Sequence, residues 1–406
     1  MPARPDALLQ EAKALLPGCV ALRRRLHAEP ELGLALPATQ KAVLEALDGL
    51  GLDVETGGRT SAVTATLRGA RPGPTLLLRA DMDALPMQEE TGLAFASKRD
   101  GAMHACGHDA HVAMLASAAR LLAARRADVA GNLRFVFQPG EEGFGGAKIL
   151  VDEGLLSRPP RVDAAFAIHV DSSTPSGVIA GRAGPILAAA DLVSIDLTGR
   201  GGHASMPHLA LDPIPAACEI VLALQALVTR RIDPFDPAVL TIARLQSGTT
   251  ANVVPETANL LGTLRSVSEG TRSAMHEGIR RVAKGVAAAH GLAVKPHVVS
   301  GYPVTVNDAG FAAFVRGVAS ELVGRERVVE IPVPIMGAED FAFILREVPG
   351  AIVFLGVRPE GRESAPLHSN RMVLDEDALA SGIALHAAVA LRYLERGGRI
   401  DGAQAA

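Results

Sequence analysis

The chain has 406 residues, 48% of them hydrophobic and 21% charged, with a formal net charge of −4. That length exceeds one ordinary core, so two domains are expected, and the composition is that of a folded globular chain. With no Trp, 2 Tyr and no basic cluster beside aromatics, nucleic acid is excluded as a partner.

Three cysteines, Cys19, Cys106 and Cys218, form no CxxC, which argues against a disulfide framework and for a reducing compartment. The first residues hold prolines and acids where a leader needs an apolar run. No apolar stretch is expected to span a bilayer, so a soluble cytoplasmic protein without a membrane partner is expected.

Residues 6–27 read as a helix with Leu8, Leu9, Ala12, Leu15 and Leu16 on one face, interrupted at Pro17-Gly18. Arg23-Arg24-Arg25 read as a solvated face of it. A second helix covers about 37–50. Strands follow at 62–67 and at Thr75–Arg79, the latter a continuous apolar run suited to a strand covered on both sides. It ends at Asp81-Met82-Asp83.

Next comes His104-Ala105-Cys106-Gly107-His108-Asp109-Ala110-His111, the densest set of metal-capable side chains in the chain. Cys106 and His108 share a face only on an extended segment. A helix then runs to about Arg126, with Asp109 its expected N-cap, and a nearby helix N-terminus favours a thiolate. His104 and His111 read as core or supporting residues.

The strand 133–137 ends at Gln138-Pro139-Gly140-Glu141-Glu142-Gly143, where two adjacent carboxylates repel unless a cation or a raised pKa relieves them. After a helix near 146–153, the strand 164–168 ends at His169. Three apolar strands thus deliver acids or His at their C-terminal ends, where open α/β sheets bind ligands.

From about Gly181 the pattern changes. Strand 191–197, the loop Gly201-Gly202-His203, helix 212–231, strands 238–246 and 258–266, helix 271–290 and strand 293–299 give the order βαββαβ, the split βαβ unit. It reads as a ferredoxin-like domain, residues 183–296, inserted into a catalytic domain made of 1–182 and 297–406. The crossings are expected at the glycines of 181–184 and at Lys295-Pro296. The α/β pattern then resumes with a helix over 308–323, a loop holding Gly337, Glu339 and Asp340, a strand over 351–356, His368 and a closing helix over 376–396. The predicted fold class is α/β, with a mixed, mostly parallel sheet flanked by helices.

Cys106, His108, Glu142, His169 and His368, with Glu141 and Asp83 beside them, form a mixed N/S/O set of a size suited to two divalent ions sharing a ligand. Two ions and a spare carboxylate are the equipment of a hydrolase.

The chain resembles the aminoacylase/carboxypeptidase-like family of dinuclear, zinc-exopeptidase-like metallohydrolases, in the amidohydrolase branch of hippurate and indole-acetyl-amino-acid hydrolases. The carriers are Arg24–Leu32, Arg79–Pro86, His104–Asp109, Phe137–Gly143, His169-Val170, Gly201–His203, Asn252–Pro255, Gly262–Arg265, Glu339–Phe341 and Leu367-His368. The resemblance implies Cys106 as a thiolate bridge, His108, Glu142, His169 and His368 as further ligands, and Glu141 as general base. Asp83 would orient a ligand from behind. It also implies a homodimer paired through the inserted domain, with His203 reaching the partner's site to steady an oxyanion. Asn252 and Arg265 would hold the substrate carboxylate, and the backbone at Gly337 would line the pocket.

The implied reaction is metal-dependent hydrolysis of N-acyl amino acids, with Zn, Mn, Co or Ni as the metal. The rivals are a dipeptidase of the same fold, whose ammonium-binding acid would be Asp340 or Asp191, and a catalytically silent metal-binding homologue. Three places depart from the branch: Gly140 where Ala is frequent, Leu34-Ala35-Leu36 where an acid is usual, and Ser369-Asn370-Arg371 after His368.

Overall fold

The computed structural model describes residues 5–361 and 365–400. It divides into two compact units. One holds the described chain up to Gly184, Val306–Pro332 and the described residues from Phe343 onward; the other holds Pro185–Thr305 and Val333–Ala342.

The first unit is built on an eight-stranded sheet. Its strands are β1 (Asp53–Thr56), β2 (Val63–Arg68), β3 (Arg71–Asp81), β4 (Ala130–Gln138), β5 (Ala164–Pro175), β6 (Ile179–Gly181), β7 (Val328–Glu330) and β8 (Gly350–Arg358). They lie in the order β1-β2-β4-β3-β5-β8-β6-β7. The ladders β4·β3, β3·β5, β5·β8 and β6·β7 are parallel, and β1·β2, β2·β4 and β8·β6 are antiparallel. Leu76, Leu77, Leu78, Phe135, Phe137, Phe166 and Ile352 are fully or nearly fully buried, as strands covered on both faces require. Helices α1 (Pro5–Ala28), α2 (Pro37–Leu47), α3 (His108–Ala124), α4 (Gly146–Asp152), α5 (Ala309–Val323) and α6 (Leu379–Glu395) complete the layers.

The chain leaves β3 for β4 on one side and then crosses to β5 on the other. Strand order therefore reverses at β3, and the carboxyl ends of β3 and β5 form the crevice where such sheets take ligands.

Three expectations change here. Helix α1 is continuous, with Pro17 inside it. Leu8 and Ala12 before the proline and Cys19 and Leu26 after it are all buried in one core, so packing overrides the local break. The start of α3 is capped by Gly107, not Asp109. The Asp109 carboxylate is instead taken by Arg23 Nε at 2.9 Å and His27 Nδ1 at 2.8 Å. Arg23 is thus buried, not solvated, and its Nη1 also reaches Glu376 at 2.8 Å.

In the second unit, strands 238–247, 257–266, 189–198 and 293–302 form an antiparallel sheet in that order. The buried faces of helices Pro213–Arg231 and Glu269–Ala289 join its core. Element order is βαββαβ. The C-terminal crossing lies beyond the expected Lys295-Pro296, because those residues pair with Asp196 and Ile195 inside a strand that runs to Tyr302. Segment 333–342 also groups with this unit, against its expected place in the catalytic domain. It is tied there by Ala188 N–H bonds to the carbonyls of Ile335 and Gly337. Helix Pro213–Arg231 is long and apolar enough to span a bilayer by composition, contrary to expectation. Ala216, Ala217, Ile220, Leu224 and Leu227 nevertheless form the buried stripe of a helix packed on a sheet.

The Arg23–Asp109 pair anchors the first turn of α3, with side chains only 2% and 0% exposed. Arg23→Ala leaves a buried carboxylate without its guanidinium and is expected to cost about 3–5 kcal/mol. Arg23→Lys should restore only part, because a point charge cannot serve Asp109 and Glu376 together. Urea unfolding checks this, and equal stability of the alanine variant and wild type would contradict it.

Candidate metal centre

The centre is assembled around the end of β3. Asp83 is buried, and its carboxylate accepts the backbone N–H of Glu141 at 2.9 Å and of Glu142 at 3.0 Å. Its backbone carbonyl accepts His108 Nδ1–H at 2.8 Å. A carbonyl can only accept, so one proton is fixed on Nδ1 and Nε2 of His108 is the nitrogen that can exchange a proton for a metal ion. The same logic holds on β5, where His169 Nδ1 lies 2.7 Å from the carbonyl of Val170. Its Nε2 faces Cys106 Sγ at 3.5 Å.

Between Cys106 and His108 the chain must turn sharply. Gly107 does so at φ +82°, and a Cβ there would lie 2.4 Å from Val170 Cγ2. His368 sits in the left-handed region at φ 66°, a conformation that costs a non-glycine residue about 1–2 kcal/mol. Its N–H bonds Ala105 O at 2.9 Å, which brings its Nε2 to 3.3 Å from Glu142 Oε1.

The ligand-capable atoms of Cys106, Glu142 and His368 lie within 4.8 Å of one another, as do those of His108, Glu141 and Glu142. All five expected ligands and the expected base therefore fall in one crevice.

The electrostatics ask for a cation. Burial opposes a Cys106 thiolate, yet His108 and His169 bring its pKa from 9.0 down to about 6. Burial also opposes charge on His169, but the thiolate raises it to about 9. Hydrogen bonds to Cys106 and Glu142 raise His368 to about 10. Burial disfavours the Glu142 carboxylate, and His368 and His108 hold it below its ordinary range. These anions thus hold protons on the imidazoles, and a divalent ion supplies the same positive charge. Among the described residues His108 Nε2 is buried without a hydrogen-bond partner, a vacancy in bonding that metal coordination fills. The donor set fits divalent transition ions.

Asp81, expected at a ligand-bearing strand end, and His111, expected as a core or supporting residue, also belong to this crevice. Their ligand-capable atoms lie within 4.8 Å of those of His108 and His169. His111 is buried and held neutral, because burial outweighs Asp81 and lowers its pKa to about 4. His104 is also buried, and burial lowers it to about 3.

The second unit holds the remaining expected residues. His203 is exposed and pairs with Val253 in a short ladder, beside Asn252, whose carbonyl accepts the N–H of Ala204 at 3.1 Å. His203 Nδ1 accepts from Ser205 N–H at 3.1 Å, so its proton sits on Nε2. Asn252 Oδ1 takes Thr250 Oγ1 at 3.0 Å. Arg265 is half-buried and makes no ion pair among the described residues; its Nη1 reaches only the Leu264 carbonyl at 3.3 Å. Gly337 is exposed, with its carbonyl accepting from Ala188 N–H at 2.9 Å.

The profile of peptidase family M20/M25/M40 matches residues 77–392. The chain belongs to the M20 peptidase family. Thermostable carboxypeptidase 2 of Saccharolobus solfataricus is 40% identical over 393 residues, 96% of this chain and 98% of that protein. IAA-amino acid hydrolase ILR1-like 2 of Arabidopsis thaliana is 38% identical over 380 residues, 93% of this chain and 85% of that one. The solved YxeP protein of Bacillus subtilis, described as a dinuclear metal-binding peptidase of the M20 family, has a TM-score of 0.82 at 35% identity. That match covers 94% of this chain and 99% of YxeP. This M20 chain is therefore a hydrolase of amide or peptide bonds with a metal-binding crevice.

Asp83 holds the backbone amides of Glu141 and Glu142 and the tautomer of His108. Asp83→Ala is expected to weaken metal binding about 10–100-fold, the usual worth of a group behind the ligands. Chelator competition reads this directly, and an unchanged affinity would contradict the arrangement.

Proposed function

We propose that the chain hydrolyses N-acyl amino acids, with acetyl, benzoyl or aryl-acetyl groups, to a carboxylate and a free amino acid. Cys106, His108, Glu142, His169 and His368 would hold two divalent ions, drawn from Zn, Mn, Co and Ni. The observation that carries this reading is the pair of imidazoles, His108 and His169, locked by backbone carbonyls with Nε2 turned toward a buried thiol and Glu142. The names of both relatives describe release of an amino acid from the amide that blocks its nitrogen, which supports the same bond chemistry here.

Bound there, the ions would polarise the substrate carbonyl and acidify the attacking water. Glu141, its amide pinned by Asp83, takes the proton of that water and returns it to the leaving nitrogen. His203, with its proton on the exposed Nε2, donates to the developing oxyanion across a homodimer. Arg265 makes no ion pair among the described residues and is assigned, with Asn252, to the amino acid's α-carboxylate. The exposed backbone at Gly337 lines the pocket.

The identity to a carboxypeptidase favours a second reading, exopeptidase action on dipeptides. That substrate needs an acid for its ammonium group. Of its two candidates, Asp340 and Asp191, the latter is committed to Arg272 Nε at 2.9 Å and His276 Nε2 at 2.5 Å.

A panel of N-acetyl-, N-benzoyl- and indole-acetyl-amino acids beside free dipeptides separates the two. The acyl substrates are expected to give the higher kcat/KM, and higher values on dipeptides would move the assignment to the exopeptidase. Arg265→Lys should cost about 1.5–3 kcal/mol in kcat/KM on the acyl substrates and little on their carboxyl-blocked amides. Equal losses on both would show that Arg265 serves the fold. Glu141→Gln should keep its metal while kcat falls roughly 10²-fold or more, whereas Glu142→Gln should lose metal. The reverse pattern would exchange the roles within the pair.

A further inference from the structure

Strands β3 and β5 pair in parallel from Leu76↔Ala164 to Arg79↔Ala167, and there the ladder stops. Both strands continue, β3 to Asp81 and β5 to Pro175, but their ends part. The imidazole of His111, from the first turn of α3, bridges the parted ends. Its Nδ1 lies 2.5 Å from Asp81 Oδ1 on β3, and its Nε2 lies 2.8 Å from Val170 N on β5.

A backbone amide only donates, so Nε2 is the acceptor and Nδ1 carries the proton to Asp81. Arg79 Nη1 holds the other Asp81 oxygen at 2.6 Å. Donation runs from Val170 N–H through His111 to Asp81, where Arg79 donates from the other side, so both arms of the chain converge on the Asp81 carboxylate. Both ring nitrogens of His111 are engaged, which leaves it no lone pair for an ion despite its place among ligand-capable atoms. Its ring centroid is 4.6 Å from that of His169 and 5.4 Å from that of His108.

We infer that His111 is a positioning residue, a strut that sets the gap between the ends of β3 and β5. His169 hangs on one side of that gap. On the other side Asp83 fixes His108, Glu141 and Glu142. The width of the gap then decides whether two ions fit between the ligands. This rests on the dinuclear reading and goes beyond it, because it assigns the spacing to a side chain that binds neither ion.

The test loads cobalt into wild type, His111→Phe and His111→Gln. It reads cobalt per chain after dialysis, cobalt affinity and the visible spectrum, with thermal unfolding of the metal-free proteins as a folding control. His111→Phe keeps size without donor or acceptor, and should hold fewer than two ions, with affinity down about 10–100-fold. His111→Gln keeps one donor and one acceptor, and should hold two ions with the wild-type spectrum. Two ions and the wild-type spectrum in the phenylalanine variant would overturn the inference. So would a glutamine variant that folds but loses as much as the phenylalanine one. Fewer than two ions in wild type would remove the dinuclear reading and this inference together, whereas two in all three removes this inference alone. Ring-nitrogen NMR of wild type needs no variant to fold: His111 should keep its Nδ1 proton with and without metal. Loss of that proton on loading would make His111 a ligand and overturn its role as a strut.

Discussion

Three bonds at one residue set the geometry of this centre. The Asp83 carboxylate gathers the amides of Glu141 and Glu142, and its carbonyl fixes the tautomer of His108. These groups come from just past the end of β3, from the loop after β4 and from α3, segments that share no local sequence. An oriented imidazole is a better ligand than a free one because its rotational freedom is already lost and its lone pair already aimed. With Asp83 in place Glu141, Glu142 and His108 are held as one body.

Behind that body lies a second layer of buried charge. Asp109, next to His108 in sequence, turns away from the crevice to Arg23 and His27. Burial works against a charged His27, yet Asp109 and Glu89 raise its pKa to about 9. Such a layer is costly to bury and strongly destabilising to break, so its benefit is definition: it fixes where α3 begins. The crevice itself is a place where local rules are broken, with a left-handed His368 and a buried thiol held toward its charged form. Strain and shifted pKa values collect where a ligand is to be held.

Much of this was legible in the sequence. The apolar runs of β3, β4 and β5 announce strands covered on both faces, and the acids and His after them mark the carboxyl ends of an open sheet. The order βαββαβ is visible because hydrophobic period switches cleanly between 2 and 3.6 along that stretch. What spacing could not show is where a side chain turns once the chain has folded. Asp109 carries an N-cap signature, but Arg23 and His27 offered it stronger partners from 86 and 82 residues away. Arg23 looked solvated because charge runs usually are. His111 showed no partner in sequence because its two bonds join strands β3 and β5 at Asp81 and Val170. Lys295-Pro296 read as a crossing because proline punctuates local pattern, yet it lies within a strand whose register with 189–198 is set by tertiary pairing.

The central claim is that the Cys106 sulphur and its neighbours hold two ions in one crevice. Anomalous diffraction from crystals grown with zinc or manganese addresses it most directly. The account requires two anomalous peaks per chain, both against Cys106 Sγ, with none bonded to His111. A single peak, or a peak bonded to Asp81 and His111 and remote from the thiolate, would contradict it.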